Sequence, residues 1–158
     1  MINCSQVEIR NNDLRTYFPC SLSVDSKSVF ITITDNIFES EQHLWFSGSH
    51  SVIKDNIHLG AWRGIILGGA FNFIVNNTFD NIWESAISVL ENQGHNTTIQ
   101  NNHISNCGSG IVIAGNNSFV CIRDNILVNI GFEESGEMYN GIGIYLQNIV
   151  NTSFIYNN

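Results

Sequence analysis

Three side chains have types and spacing suited to joint chemistry. His43, Arg63 and Glu84 follow one another at intervals of 20 and 21 residues. If the chain repeats at that interval, they stand side by side on successive turns. A carboxylate beside an imidazole is acid–base apparatus. An arginine beside a carboxylate can grip an acidic sugar. The plainer reading is a surface ion pair between neighbouring turns, worth little. A second set is aromatic: Trp45, Trp62, Trp83, Tyr139 and Tyr145, with Glu91 at the far end of its strand. Exposed rings stack on sugars or anchor an interface; the plainer reading has Trp62 and Trp83 packing on each other at a corner. A third set is acidic. Glu133, Glu134 and Glu137 in "GFEESGEMYN", Gly131 to Asn140, could hold Ca²⁺. Their spacing matches no EF-hand, so a solvated acidic loop is the simpler expectation, and no cofactor is otherwise expected.

Only a repeat can bring residues so far apart together. Aligned on a final Asn, "VEIRNN" ends at Asn12, "ITITDN" at Asn36, "SVIKDN" at Asn56 and "NFIVNN" at Asn77; "TTIQNN" ends at Asn102, "VCIRDN" at Asn125 and "SFIYNN" at Asn158. The steps are 24, 20, 21, 25, 23 and 33 residues, the last carrying an insertion at 131–140. About nine residues after each Asn comes a short strand with alternating apolar residues: Leu22/Val24, Leu44/Phe46, Ile65/Leu67, Ile87/Val89, Ile111/Ile113 and Ile142/Ile144. Period two means β with one face buried. A third inward column follows the Asn by two residues, through Leu14, Phe38, Phe79, Ile104 and Leu127, with His58 breaking it. One such repeat cannot bury its own apolar face, but stacked copies can. The expected architecture is an all-β parallel β-helix of about six to seven coils, as one domain over 1–158 or a piece of a longer solenoid.

By alternation the outward face carries Ser23, Trp45, Ile66, Ser88, Val112 and Gly143, then Asp25, Ser47, Gly68, Leu90, Ala114 and Tyr145. It is apolar to neutral. A glycosidase needs two facing carboxylates, and a lyase needs a base with charge neutralisation; neither is written here. An apolar stripe of this kind is usually covered, by another part of the chain, a partner copy or a ligand.

The bulk numbers fit. Apolar residues make up 43% of the 158, while charged residues are only 13% and the formal charge is −8, from six Lys+Arg against fourteen Asp+Glu. Phosphate neutralisation has little to work with, so nucleic acid is not an expected partner, and anionic membrane surfaces are disfavoured. No apolar run reaches the roughly 20 residues of a membrane span, and "MINCSQVEIRNN" shows no signal-peptide pattern. Cys4, Cys20, Cys107 and Cys121 form no CxxC pair; reduced thiols are expected, with Cys4–Cys20 or Cys107–Cys121 pairing as the alternative.

"GIVIAGN…VCIRDNIL" and "AISVLENQ…TTIQNNHI" resemble the right-handed parallel β-helix repeats of the pectin-lyase-like superfamily. The resemblance runs from Val7 to Asn158. It implies a right-handed single-stranded helix in which a turn Asn stacks into a ladder. Asn tolerates the left-handed turn conformation, and its amide both donates and accepts. It also implies polysaccharide or oligosaccharide as partner and an extracellular or surface setting. The superfamily holds lyases, hydrolases and epimerases as well as non-catalytic proteins. The carboxylate-poor face points to a non-catalytic module for carbohydrate contact or assembly, of cell-surface or virion type. The alternative is a polysaccharide-active enzyme, or a fragment of one, working near Arg63 and Glu84. Solenoid ends without caps invite end-to-end or side-by-side self-association.

Overall fold

The computed structural model describes residues 4–16, 20–131, 141–148 and 154–158. All its regular elements are strands, and every pairing is parallel. A seven-stranded sheet stacks Glu8–Arg10, Thr32–Thr34, Val52–Lys54, Phe73–Val75, Thr98–Gln100, Cys121–Arg123 and Phe154–Tyr156 in that order. These are the motif segments, so each coil contributes one rung. A second sheet wraps the other sides. There Ile57–Leu67 and Thr78–Val89 run unbroken round a corner that other coils break into separate strands. The solenoid has about five turns, fewer than the six to seven expected, although all seven motif segments are rungs of one sheet.

The Asp-Asn and Asn-Asn pairs build one corner, and they divide the labour. The first residue of each pair takes the left-handed backbone: Asn11, Asp35, Asp55, Asn76, Asn101, Asp124 and Asn157 all have φ of 54–56°. The second forms the ladder. This corrects the expectation that one Asn does both. The Nδ2 of Asn12 donates to Asn36 Oδ1 at 2.9 Å, and the relay continues through Asn56, Asn77, Asn102 and Asn125 to Asn158. Each Oδ1 also accepts the backbone N–H of the preceding rung, at 3.0–3.1 Å. Because a left-handed residue with a branched Cβ is strained by roughly 1–2 kcal/mol, Asn101→Val is expected to lower stability by about that amount. Asn101→Gly should be nearly neutral. Urea midpoints compare the two, and equal losses would show that the turn does not demand this conformation.

Inside, Ile33, Ile53, Ile74, Ile99 and Ile122 form one fully buried column, and Phe38, His58, Phe79 and Ile104 form another. The strand registers are as the apolar alternation requires: Leu22 with Leu44, Leu44 with Ile65, Ile65 with Ile87, Ile87 with Ile111. The last coil is the exception. Ile111 pairs with Ile144, not Ile142, and Val112 with Tyr145, not Gly143. A two-residue slip keeps every side chain on its face, so alternation alone cannot detect it. No disulfide joins any two of the four cysteines; Cys107 is buried, and burial pushes its thiol up to about 12. The insertion at 131–140 falls outside the described residues apart from Gly131.

Candidate functional site

The corner between the two portions of the second sheet gathers the polar and aromatic residues. Gly60 and Asn81 turn it with left-handed backbones at φ 61° and 60°. Their successors Ala61 and Ile82 pair and point into the core. Trp62 and Trp83 then stand outside, rings 6.3 Å apart and tilted by 40°. Beyond them the register shifts between Ile82 and Ser85, so that Arg63 pairs with Ser85. The shift leaves Glu84 as an extra residue. Its Oε2 accepts from Arg63 Nε at 2.6 Å and from Trp62 Nε1 at 2.7 Å. The Glu84 side chain is 13% exposed and that of Arg63 37%. A half-buried carboxylate held by two donors is better ordered than an ordinary surface pair. Trp83 is 55% exposed beside it.

Arg63, Glu84, Trp62 and Trp83 are thus brought together. His43 is not. The expectation that it stands beside Arg63 is corrected: Gln42 pairs with Arg63, and His43 is fully buried in the core. Alternation fails here because the strand bends. His43 is level with Gly64, and a Cβ at Gly64 would come within 2.9 Å of the Phe79 ring, so this position faces inward as Leu44 does.

Trp45 stands in an outward column running from Ser23 through Ile66, Ser88 and Val112 to Tyr145. Four rungs separate the two aromatics, roughly 19 Å, so they cannot contact one ring. Nor is the face between them an exposed apolar stripe. Ile66 is 2% and Val112 7% exposed, although both point outward. Trp45 is half-exposed and its Nε1 donates to Ser47 Oγ at 3.3 Å. Glu91 lies past the far end of its strand, roughly 20 Å from Glu84, folded over Gly115. Tyr139, Glu133, Glu134 and Glu137 lie outside the described residues. Among the described residues no group of His, Cys, Asp or Glu is placed to hold a metal ion, and no helix is long and apolar enough to cross a membrane.

Two features escaped the sequence reading. One is an open groove of about 430 Å³ beside the corner, lined by Arg15, Thr16, Glu39, Ser40, Glu41 and Gly60. Arg15 Nη1 lies 3.2 Å from Glu39, and the two are rungs of one column. The signal was present, since Arg15 and Glu39 stand at the same offset from their ladder asparagines. The other is a row of aromatics at the third corner. Phe30, His50, Phe71 and Phe119 all have left-handed backbones, a conformation bulky residues seldom adopt. His50 stacks on Phe71 at 4.7 Å and Phe30 tilts against His50 at 5.6 Å.

A family profile described as a right handed beta helix region matches residues 1–158. No curated protein and no solved structure matches the chain.

Proposed function

The chain belongs to the right-handed β-helix family, and from that premise we propose that it is a non-catalytic module whose Trp62–Arg63–Trp83–Glu84 corner contacts carbohydrate. One observation carries this reading. Glu84 uses one oxygen to fix both Trp62 Nε1 and Arg63 Nε. The arginine's terminal nitrogens and the broad face of a half-exposed Trp83 are thereby left on a rigid corner of the solenoid. Preorganised aromatic and guanidinium groups suit a sugar ring with hydroxyl or carboxylate substituents. A carboxylate already committed to two donors is a poor acid–base catalyst, which favours binding over turnover.

The test is affinity electrophoresis against neutral and uronic-acid polymers. Trp83→Ala should weaken retention about tenfold, consistent with one stacked ring worth about 1.4 kcal/mol. Arg63→Ala should weaken uronate polymers more than neutral ones. Trp45→Ala, four rungs from Tyr145 and on another face, should leave retention unchanged. Equal retention by all three variants would refute the corner as the site. An enzymatic reading near the same corner draws on the groove, where Glu39 and Glu41 face solvent beside Arg15. Release of reducing ends or unsaturated uronates that vanishes in Glu41→Gln and persists in Glu84→Gln would favour it over the binding module.

A further inference from the structure

The core of this solenoid contains a polar pair that the candidate site does not use. His43 and His58 are fully buried, and their Nδ1 atoms lie 3.3 Å apart. The His58 ring is sandwiched between Phe38, at 4.8 Å and 8°, and Phe79, at 4.6 Å and 9°. Both Nε2 atoms are buried without a hydrogen-bond partner.

The proton arithmetic of this arrangement is restrictive. One Nδ1 must donate and the other accept, so the two rings share a single proton between these atoms. In the accepting ring the neutral tautomer carries its hydrogen on Nε2, where nothing receives it. In the donating ring Nε2 is bare. A further proton has two places to go. On the accepting Nδ1 it sets two N–H groups against each other and breaks the bond. On the bare Nε2 it creates a cation with no counterion.

Among the described residues no charged group faces the pair. Glu39 and Asp80, on the strands flanking His58, point outward; Asp80 accepts from Ser105 and Asn106, and Glu39 meets Arg15. Arg63 and Glu84 satisfy each other outside. Glu41 is exposed, and the flanking Leu22–Val24 strand has no titratable residue. Each ring's one titratable neighbour is therefore the other ring. The phenyl faces attract a cation somewhat, but no solvent or carboxylate reaches it. Burial lowers His43 to about 4, the Leu59 carbonyl only partly offsetting this without hydrogen-bond geometry to Nε2. Burial, with repulsion from His43 second, holds His58 well below the ordinary value.

We propose that the His43–His58 pair is an acid-operated latch: protonation parts the two rings and loosens the coils that carry them. Those coils include Ile57–Leu67, which also bears Trp62 and Arg63, so opening the latch would dismantle the corner whatever that corner binds. The sign follows from linkage. Both rings have folded-state values below the unfolded value of about 6.5, so the stability of the neutral pair is complete above pH 6.5 and is lost as pH falls from there towards 4. The folding constant should fall up to about tenfold per pH unit for each ring.

Urea unfolding of the wild type and of the His43→Leu/His58→Phe double variant at pH 7.5 and pH 4.5 tests this. The double variant places a phenyl ring between those of Phe38 and Phe79, and it removes both buried polar partners together. The wild type should lose at least tenfold more in folding constant between the two pH values than the variant does. Equal losses would overturn the latch. If the double variant does not fold, NMR titration of labelled histidines in the wild type decides. Two rings that stay neutral until the fold opens below pH 5 support the proposal, and two rings that titrate near 6.5 in the folded protein overturn it.

Discussion

Asn77→Ala should cost about 3–5 kcal/mol, a large share of the 5–15 kcal/mol typical of a domain. The side chain is buried and engaged at both ends. Its Oδ1 accepts from the backbone N–H and the Nδ2 of Asn56, both at 3.0 Å. Its Nδ2 is shared among Ile53 O at 3.0 Å, Val75 O at 3.2 Å and Asn102 Oδ1 at 3.1 Å. Truncation takes the acceptor from the Asn56 N–H and a donor from the buried Ile53 carbonyl, while the Val75 carbonyl keeps the Asp55 N–H at 3.2 Å. A buried polar group so orphaned costs about 1–3 kcal/mol. Asn12 has the same chemistry at the exposed first rung, where water can replace the lost bonds. Asn12→Ala should therefore cost under about 1 kcal/mol. Asn77→Asp keeps the shape but removes both donors and adds a buried charge, so it should be at least as damaging as Ala. Denaturant unfolding of the three variants gives the comparison. Losses that do not differ between rungs 12 and 77 would mean that the ladder is ornament on a fold held by its apolar columns.

Phe79→Ala should cost a similar amount, about 3–5 kcal/mol, for a different reason. Phe79 is fully buried in the column below the ladder, stacked on His58. The chain has made room for it: at Gly64 any Cβ would meet its ring within 2.9 Å and would press on the Ala86 carbonyl more closely still. Removing the ring opens a cavity that neighbouring coils, locked by parallel pairing on both sides, cannot close. Phe73 is the natural control. It is the same residue type on the preceding strand, but outward-facing and 49% exposed. Phe73→Ala should stay within about 0.5 kcal/mol of the wild type. A Phe73 variant as unstable as the Phe79 variant would contradict the assignment of faces.

The apolar columns and the asparagine offset were legible because they are properties of period and spacing. In an extended strand successive side chains point to opposite faces, so Ile33, Ile65 and Phe79 declare themselves inward without any coordinates. The constant distance from those residues to Asn36, Asn56 and Asn77 declares a stacked turn. Even Trp62 against Trp83, and Arg63 near Glu84, follow from counting along the repeat.

Counting along the repeat could not settle what happens where the repeat bends or slips. Counting sets Glu84 opposite Arg63, but the register shift between Ile82 and Ser85 makes Ser85 the backbone partner of Arg63 and leaves Glu84 as an extra residue whose Oε2 takes both Arg63 Nε and Trp62 Nε1. His43 turns into the core beside His58 because the bend puts two successive positions, His43 and Leu44, on the inside. Tyr145 rather than Gly143 lies beside Val112, a two-residue slip that alternation does not register. Sequence determined which residues share a face and which rungs stack, since those depend on a local two-residue period. Tertiary structure decided which side chains touch, since a contact depends on the accumulated register of whole coils and on the corners where local period no longer applies.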